Sequence, residues 1–325
     1  MKKFIIVTLF IGIFSPLSVF AAGLDLISIS TNPKTPGPNQ DVTISMNSYA
    51  VDLNTATIIW FVNKSPSKQG IAEKTLTIHT GDLGTKTIVD ITILGNTGTI
   101  NKQIVIAPAE VDILWEAQTY TPPFYKGKAL PSYKSLVRVT AIPRFNALTS
   151  DPSQFYYKWT YNNIQGAGEG LGKNSIIIPM GWADSKVPVA VTVNLPGTDW
   201  SGYKLTNIPG HEAKLVLYEQ APLLGMQFDH ALMTNQTPKI GTGNTFNIHA
   251  VPYYFSTDNL QNGELVYTWK VNRNNIVAGL DPLNITVTKQ GKGEESFDVS
   301  LRAQNPKRIL QEGRAQSSII LPEEK

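Results

Sequence analysis

Tyr156-Tyr157-Lys158-Trp159-Thr160-Tyr161-Asn162 is rich in aromatic side chains, and it recurs twice in the chain with changes. Upstream it is Ile58-Ile59-Trp60-Phe61-Val62-Asn63, and downstream Tyr267-Thr268-Trp269-Lys270-Val271-Asn272. Aromatic and β-branched residues in short runs favour a strand with a packed face. Trp60 and Trp159 are 99 residues apart, and Trp159 and Trp269 are 110 apart. In each copy an alternating strand begins 28 to 30 residues after the tryptophan, headed by Val89, Val189 and Phe297. A repeat this long predicts sequential domains, because solenoid repeats are much shorter.

Working outward, each copy reads as about seven short strands separated by turn residues, the pattern of an antiparallel sandwich. The first opens at Leu24 to Ser30, crosses a Pro/Gly-rich stretch from Pro33 to Asn39, and closes at Gln103 to Ile106. The second opens at Val111 to Trp115 and has a longer crossing, Thr121-Pro122-Pro123-Phe124-Tyr125-Lys126-Gly127-Lys128. Its closing strand is expected at Lys214 to Tyr218, with the boundary at Pro222. The third opens at Gly225 to Phe228 and closes at Ser317 to Leu321. The expected divisions are therefore 1–22, 23–108, 109–221 and 222–325, with short linkers at Pro108 to Glu110 and Gln220 to Pro222.

Residues 1–22 read as a signal peptide. Lys2 and Lys3 precede an apolar run from Phe4 to Phe14, Pro16 breaks it, and cleavage is expected after Ala21 or Ala22. An uncleaved anchor is the alternative, and no later run is long enough for a second span. The expected location is secreted or cell surface. Of 28 basic residues against 25 acidic, two leave with the signal, so the mature chain is nearly neutral and offers no basic footprint for nucleic acid. Cysteine is absent, which excludes a lipid-anchored cysteine, disulfides and thiol chemistry.

A central-strand tryptophan packed between two sheets, with no cysteine pair beside it, resembles the bacterial immunoglobulin-like and PKD-like superfamily. The resemblance covers the mature chain and rests on the three tryptophan strands and the crossing at Pro33 to Asn39. The Gly-Asp-Gly that follows this tryptophan in PKD domains is absent after Trp60, Trp159 and Trp269. The chain also looks like exported multidomain proteins of bacteria, a likeness that implies no activity. It implies an all-β fold of three tandem immunoglobulin-like antiparallel β-sandwich domains, with Trp60, Trp159 and Trp269 as structural core. On that reading Trp159→Ala should unfold the middle domain and spare its neighbours.

No catalytic constellation emerges. Gly166 to Asn174 approaches a phosphate loop, but Asn174 replaces the hydroxyl residue and Ser175-Ile176-Ile177-Ile178 reads as a strand, so a flexible glycine hairpin is expected. His79, His211, His230 and His249 lack metal spacing. Asp258 to Glu264 puts Leu260 where a calcium loop needs oxygen, and reads as a turn. The expectation is a chain that is not an enzyme, with no cofactor and no metal. Trp182, Trp200 and Tyr203 sit in loop-like surroundings, where they would stack on a ligand or cover the sandwich ends. Trp115 is expected to help fix how the first and second domains meet. The sequence thus points to a non-catalytic exported structural or adhesion protein, a spacer and binding surface for an unknown protein or glycan partner. Carbohydrate binding through Trp182, Trp200 and Tyr203 is the alternative.

Overall fold

The computed structural model describes residues 27–323 except 97, 124, 146–150, 233–238 and 242. The expected signal peptide and the start of the first strand lie outside the described residues. In the first sandwich the strands are β1 (Ser28–Asn32), β2 (Asp41–Asn47), β3 (Thr57–Val62), β4 (Ser65–Ile71), β5 (Thr75–His79), β6 (Thr87–Gly95) and β7 (Gly98–Ile106). They form two sheets, ordered β1-β2-β5 and β4-β3-β6-β7. Alternation explains the packing: Val42, Ile44 and Met46 of β2 face Ile58, Trp60, Val89, Ile91 and Ile93 across one core, as the two-residue period of a strand requires.

The second sandwich repeats this order. Its strands are β8 (Glu110–Ala117), β9 (Leu136–Arg144), β10 (Tyr156–Tyr161), β11 (Ile164–Leu171), β12 (Ser175–Pro179), β13 (Lys186–Asn194) and β14 (Ser201–Pro209). The sheets are β12-β9-β8 and β11-β10-β13-β14. The third contains β15 (Lys214–Ala221), β16 (Gly225–Leu232), β17 (Lys239–Ile240), β18 (Thr245–Tyr253), helix α1 (Thr257–Gln261), β19 (Val266–Val271), β20 (Asn274–Ile276), β21 (Asn284–Thr288), β22 (Glu295–Gln304) and β23 (Glu312–Leu321). Here β15-β18-β21 faces β23-β22-β19-β20, with β16 added beside β15 and β17 parallel to β23. The chain is three immunoglobulin-like sandwiches in tandem.

The tryptophan strands repeat in atomic detail. Trp60, Trp159 and Trp269 are buried, and each indole N–H donates at 2.8 Å to a backbone carbonyl: Glu73, Lys173 and Pro282 respectively. Each acceptor lies two residues before the strand that follows (β5, β12 or β21). Burial of an indole therefore leaves no orphaned donor at these three sites. The asparagine three residues on opens a two-residue turn with positive φ at both positions: Asn63-Lys64, Asn162-Asn163 and Asn272-Arg273. That is the hairpin turn whose twist suits antiparallel strands, and asparagine tolerates it well. Asn63 also accepts from the Ile88 N–H, and Asn272 from the Asp298 N–H. At the matching place in the second sandwich stands Pro188, which has no N–H to give.

Several expectations need correction. Lys214 to Tyr218 does not close the second sandwich: β15 pairs with β16 and β18 of the third, and Leu215 and Leu217 are buried there. Its half-buried alternation fits a last or a first strand equally well. The closing position is taken by β14, which pairs with β13 along its length and was hidden by the turn-like residues Gly197 to Gly202. Gln220 to Pro222 is accordingly not a linker but the end of β15 and the start of the hairpin to β16. The third sandwich opens before Gly225. The residue facing the Trp+2 position is Val89, Val189 and Val299 in the three copies, so Phe297 stands two residues early. Gly166 to Asn174 lies mostly in the edge strand β11, the second arm of a hairpin with β10. Gly168 is needed there because a Cβ would come within 2.6 Å of Ile176 Cγ2, beside the Trp159 ring.

Candidate functional site

The long crossing of the second sandwich is where the chain departs from its own repeat. Gln118 to Tyr120, Tyr125, Leu130 and Ser132 to Lys134 lie against the third sandwich. Tyr120 N–H donates to Phe255 O, Tyr254 N–H to Tyr120 O, and Thr257 N–H to Gln118 O, at 2.8, 2.8 and 3.2 Å. Thr119 and Ser256 are paired between these bonds as an antiparallel bridge. Around them, Tyr218, Val251, Tyr253 and Tyr254 form an apolar cluster with Tyr120 and Leu130. Their hydroxyls are paired within it: Tyr125 with Tyr254 at 2.7 Å, Tyr218 with Tyr253 at 2.8 Å. Burial first, then these neighbours, push the Tyr253 and Tyr254 hydroxyls well above the ordinary tyrosine range.

Beside the tyrosines is a buried polar core. Gln311, with no exposed surface, donates to Ser132 Oγ (2.7 Å), Ser256 Oγ (2.9 Å) and Tyr133 O (3.3 Å). Its amide oxygen accepts from the Ser256 N–H (3.1 Å) and from Asn305 Nδ2 (2.8 Å). Ser132 Oγ donates in turn to Tyr254 O at 2.6 Å. Arg308 closes the edge: it donates to Lys134 O across the junction and forks onto both carboxylate oxygens of Asp258 at 3.1 and 3.0 Å. Burial alone would raise Asp258, but the Arg308 hydrogen bonds and charge outweigh it and hold the carboxyl below its usual range. Between the first and second sandwiches the described contacts are lighter in kind. They include Ala109 N–H to Pro36 O at 2.9 Å and a half-exposed Lys86–Asp199 pair at 3.8 Å.

The three aromatics expected together are not brought together. Trp200 is buried in the second core, edge-on to Phe145 and Phe155, so it packs and cannot stack on a ligand. Its indole nitrogen is buried and has no hydrogen-bond partner among the described residues. Tyr203 lies on β14, half-exposed and opposite Thr192 of β13. Trp182 is in the loop before Lys186, at the other end of β13. Six residue steps of strand put about 20 Å between the two. Trp115 is not at the first boundary either: Lys128 of the long crossing covers its ring, with Nζ 3.1 Å from the centroid.

Trp182 keeps an open face. It is 63% exposed, and Tyr133 supports it with ring centroids 5.1 Å apart. Its loop is tied down, with Trp182 O accepting from both the hydroxyl and the N–H of Ser185. Gly210 N–H donates to Ser185 O at 2.8 Å, and a Cβ at Gly210 would run into Trp182 O. Trp182 and Tyr133 form one wall of a cleft of ≈ 430 Å³ whose other wall is the Leu310 to Arg314 segment of the third sandwich.

Three of the four histidines are paired through their side chains, while His211 donates its backbone N–H to Pro131 O at 2.8 Å. His79 pairs with Asp41, His230 with Asp229, and His249 with Asn284. Asp258 and Glu264 answer Arg308 and Lys307, and Asp258 lies in α1 where a turn was expected. Among the described residues no three metal-binding side chains converge, and no helix is long and apolar enough to cross a membrane. The junction residues Ser132, Ser256, Asn305 and Gln311 carry no motif; only the unusual length of the crossing marked the place.

No family model matches the chain, and no curated protein does. Among solved structures it is similar to the three N-terminal domains of the bacteriophage RB49 Highly Immunogenic Outer Capsid protein (12% identity, TM-score 0.26, 92% of this chain and 98% of that one). It is similar to the fibronectin(III)-like modules of Clostridium thermocellum CbhA (10%, 0.27, 57% and 94%). A third is Bacteroides ovatus SGBP-B, solved with a mixed-linkage heptasaccharide (9%, 0.22, 90% and 66%). Likeness at this level transfers neither ligand nor activity.

Proposed function

We propose that this chain is an exported, non-catalytic array that serves as a spacer and binding surface outside the cytoplasm, with its second and third sandwiches held as one body. The observation that carries this is the Gln311 junction. A spacer must hold its ends in fixed relation, and a hydrogen-bonded, tyrosine-packed junction resists the domain motion that is otherwise the default. We place the units at 23–108, 109–212 and 213–325, the second boundary moved to the residues between β14 and β15.

Export rests on the N-terminal pattern alone. Fractionation with N-terminal sequencing tests it: the mature chain should begin at Ala22 or Gly23 and lie outside the cytoplasm. An intact Met1 in the cytosolic fraction would overturn the reading. Small-angle scattering tests the array, because a fixed pair gives a single maximum dimension that does not change with ionic strength.

A further inference from the structure

We propose that the cleft between Trp182 and Leu310 is a binding site for an uncharged oligosaccharide. This rests on the reading of the chain as a binding array, and it names the ligand class for one place on it. Four observations converge. First, Trp182 presents a flat apolar face to solvent while four of the other tryptophans are buried. The C–H face of a sugar ring stacks on such a surface, and amphipathic aromatics suit sites with one dry and one wet side.

Second, the face is held in place before any ligand arrives. Tyr133 supports it from one side, and Ser185 and Gly210 pin the loop beneath it. A preformed platform loses little freedom on binding. Third, the rim carries groups that hydrogen-bond vicinal hydroxyls, and their charges balance: Glu212 and Glu312 against Lys214 and Arg314. Arg314 is largely exposed although it touches Glu312 at 3.1 Å, so its outer N–H groups face water. The rim offers both donors and acceptors, which sugar hydroxyls can use, and no surplus of unpaired carboxylates or cations: Glu312 is already held by Arg302 at 2.6 Å and by Arg314.

Fourth, the cleft is concave and ≈ 430 Å³, within the roughly 300–1,000 Å³ of small-ligand sites. A protein partner needs instead a broad patch of about 800 Å² per side.

The test uses the full chain and named probes: hexasaccharides of β-1,4-glucan, β-1,4-mannan, β-1,4-xylan and N-acetylglucosamine, with hexagalacturonate as the charged comparison. Calorimetry and tryptophan fluorescence should show saturable binding of at least one neutral probe and none of the charged one. Trp182→Ala should weaken it at least about tenfold, the loss typical of a central aromatic contact. Trp182→Phe should recover part of it, and Tyr203→Ala, about 20 Å away along the sheet, should leave it unchanged. Because Trp182 is exposed, its variants should keep the wild-type melting temperature.

Absence of saturable binding by every neutral probe would overturn the proposal. So would binding that survives Trp182→Ala, or preference for the charged probe. Scattering on the same samples separates the two readings. A fixed envelope without sugar binding removes only the glycan site. Independently moving sandwiches would remove the array reading, and the cleft with it, since its walls come from both.

Discussion

Replacing Gln311 by alanine should expose how much the junction contributes. Gln311 makes five side-chain hydrogen bonds and has no exposed surface. The variant leaves two buried donors without their acceptor, the Ser256 N–H and one hydrogen of Asn305 Nδ2. Each orphaned group costs about 1–3 kcal/mol, so the loss should be about 2–6 kcal/mol. That is a large share of the roughly 5–15 kcal/mol that holds a domain. For the second and third sandwiches melting as one unit of roughly 200 residues, a 3 kcal/mol loss lowers the melting temperature by about 6–12 °C.

Scanning calorimetry of the full chain reads this directly, with the shift confined to the transition of the second and third sandwiches. Ser132→Ala removes two bonds of the same network, one of them from Gln311, so the double variant should cost less than the sum of the singles. A Gln311→Ala melting temperature within about 2 °C of wild type would refute the reasoning.

Other expectations follow from the same contacts. Trp159→Ala should cost about 3–5 kcal/mol, and calorimetry should show the third sandwich weakened along with the second while the first is spared, because the junction joins their stabilities. Gly168→Val should destabilise the second sandwich by about 1–3 kcal/mol in urea titrations, since Ile176 and Trp159 leave no room for it. Acid should loosen the junction. Asp258 has its folded pKa depressed below 3.8, so its contribution is present above that value and is lost as pH falls through the lower folded one. Alkali should act on the tyrosine cluster in the opposite sense: Tyr253 and Tyr254 are raised above 10.0, so their contribution is full below pH 10 and fades above it. Scattering across both pH ranges would check each limb.

Much of the fold was legible because it is repeated. One tryptophan strand is ambiguous, but three with asparagine at the same offset and an alternating strand about 30 residues later leave little choice of architecture. The second boundary was misread because strand alternation carries no label of which sheet it joins. Lys214 to Tyr218 alternates as well as a closing strand would, and only the pairing of β14 with β13 decides the matter. For Trp200 the sequence leaves packing and ligand stacking both open, and the structure takes packing. Glycines and aspartate around it signal a turn, and the turn is real, but its aromatic folds back onto Phe145 and Phe155. The junction was the least legible. Serine, asparagine and glutamine are ordinary surface residues by type, and nothing local distinguishes Gln311 from an exposed glutamine. Its burial depends on a segment some 180 residues away.

The absence of cysteine from the chain makes one measurement unusually clean, because introduced thiols are the only ones to label. Spin labels at Lys158→Cys and Ser296→Cys report the separation of the second and third sandwiches; labels at Lys158→Cys and Arg138→Cys report a distance within the second alone. A fixed junction predicts that the first distance distribution is as narrow as the second, and that Gln311→Ala broadens only the first. A wild-type distribution much broader between the sandwiches than within one would contradict the central claim.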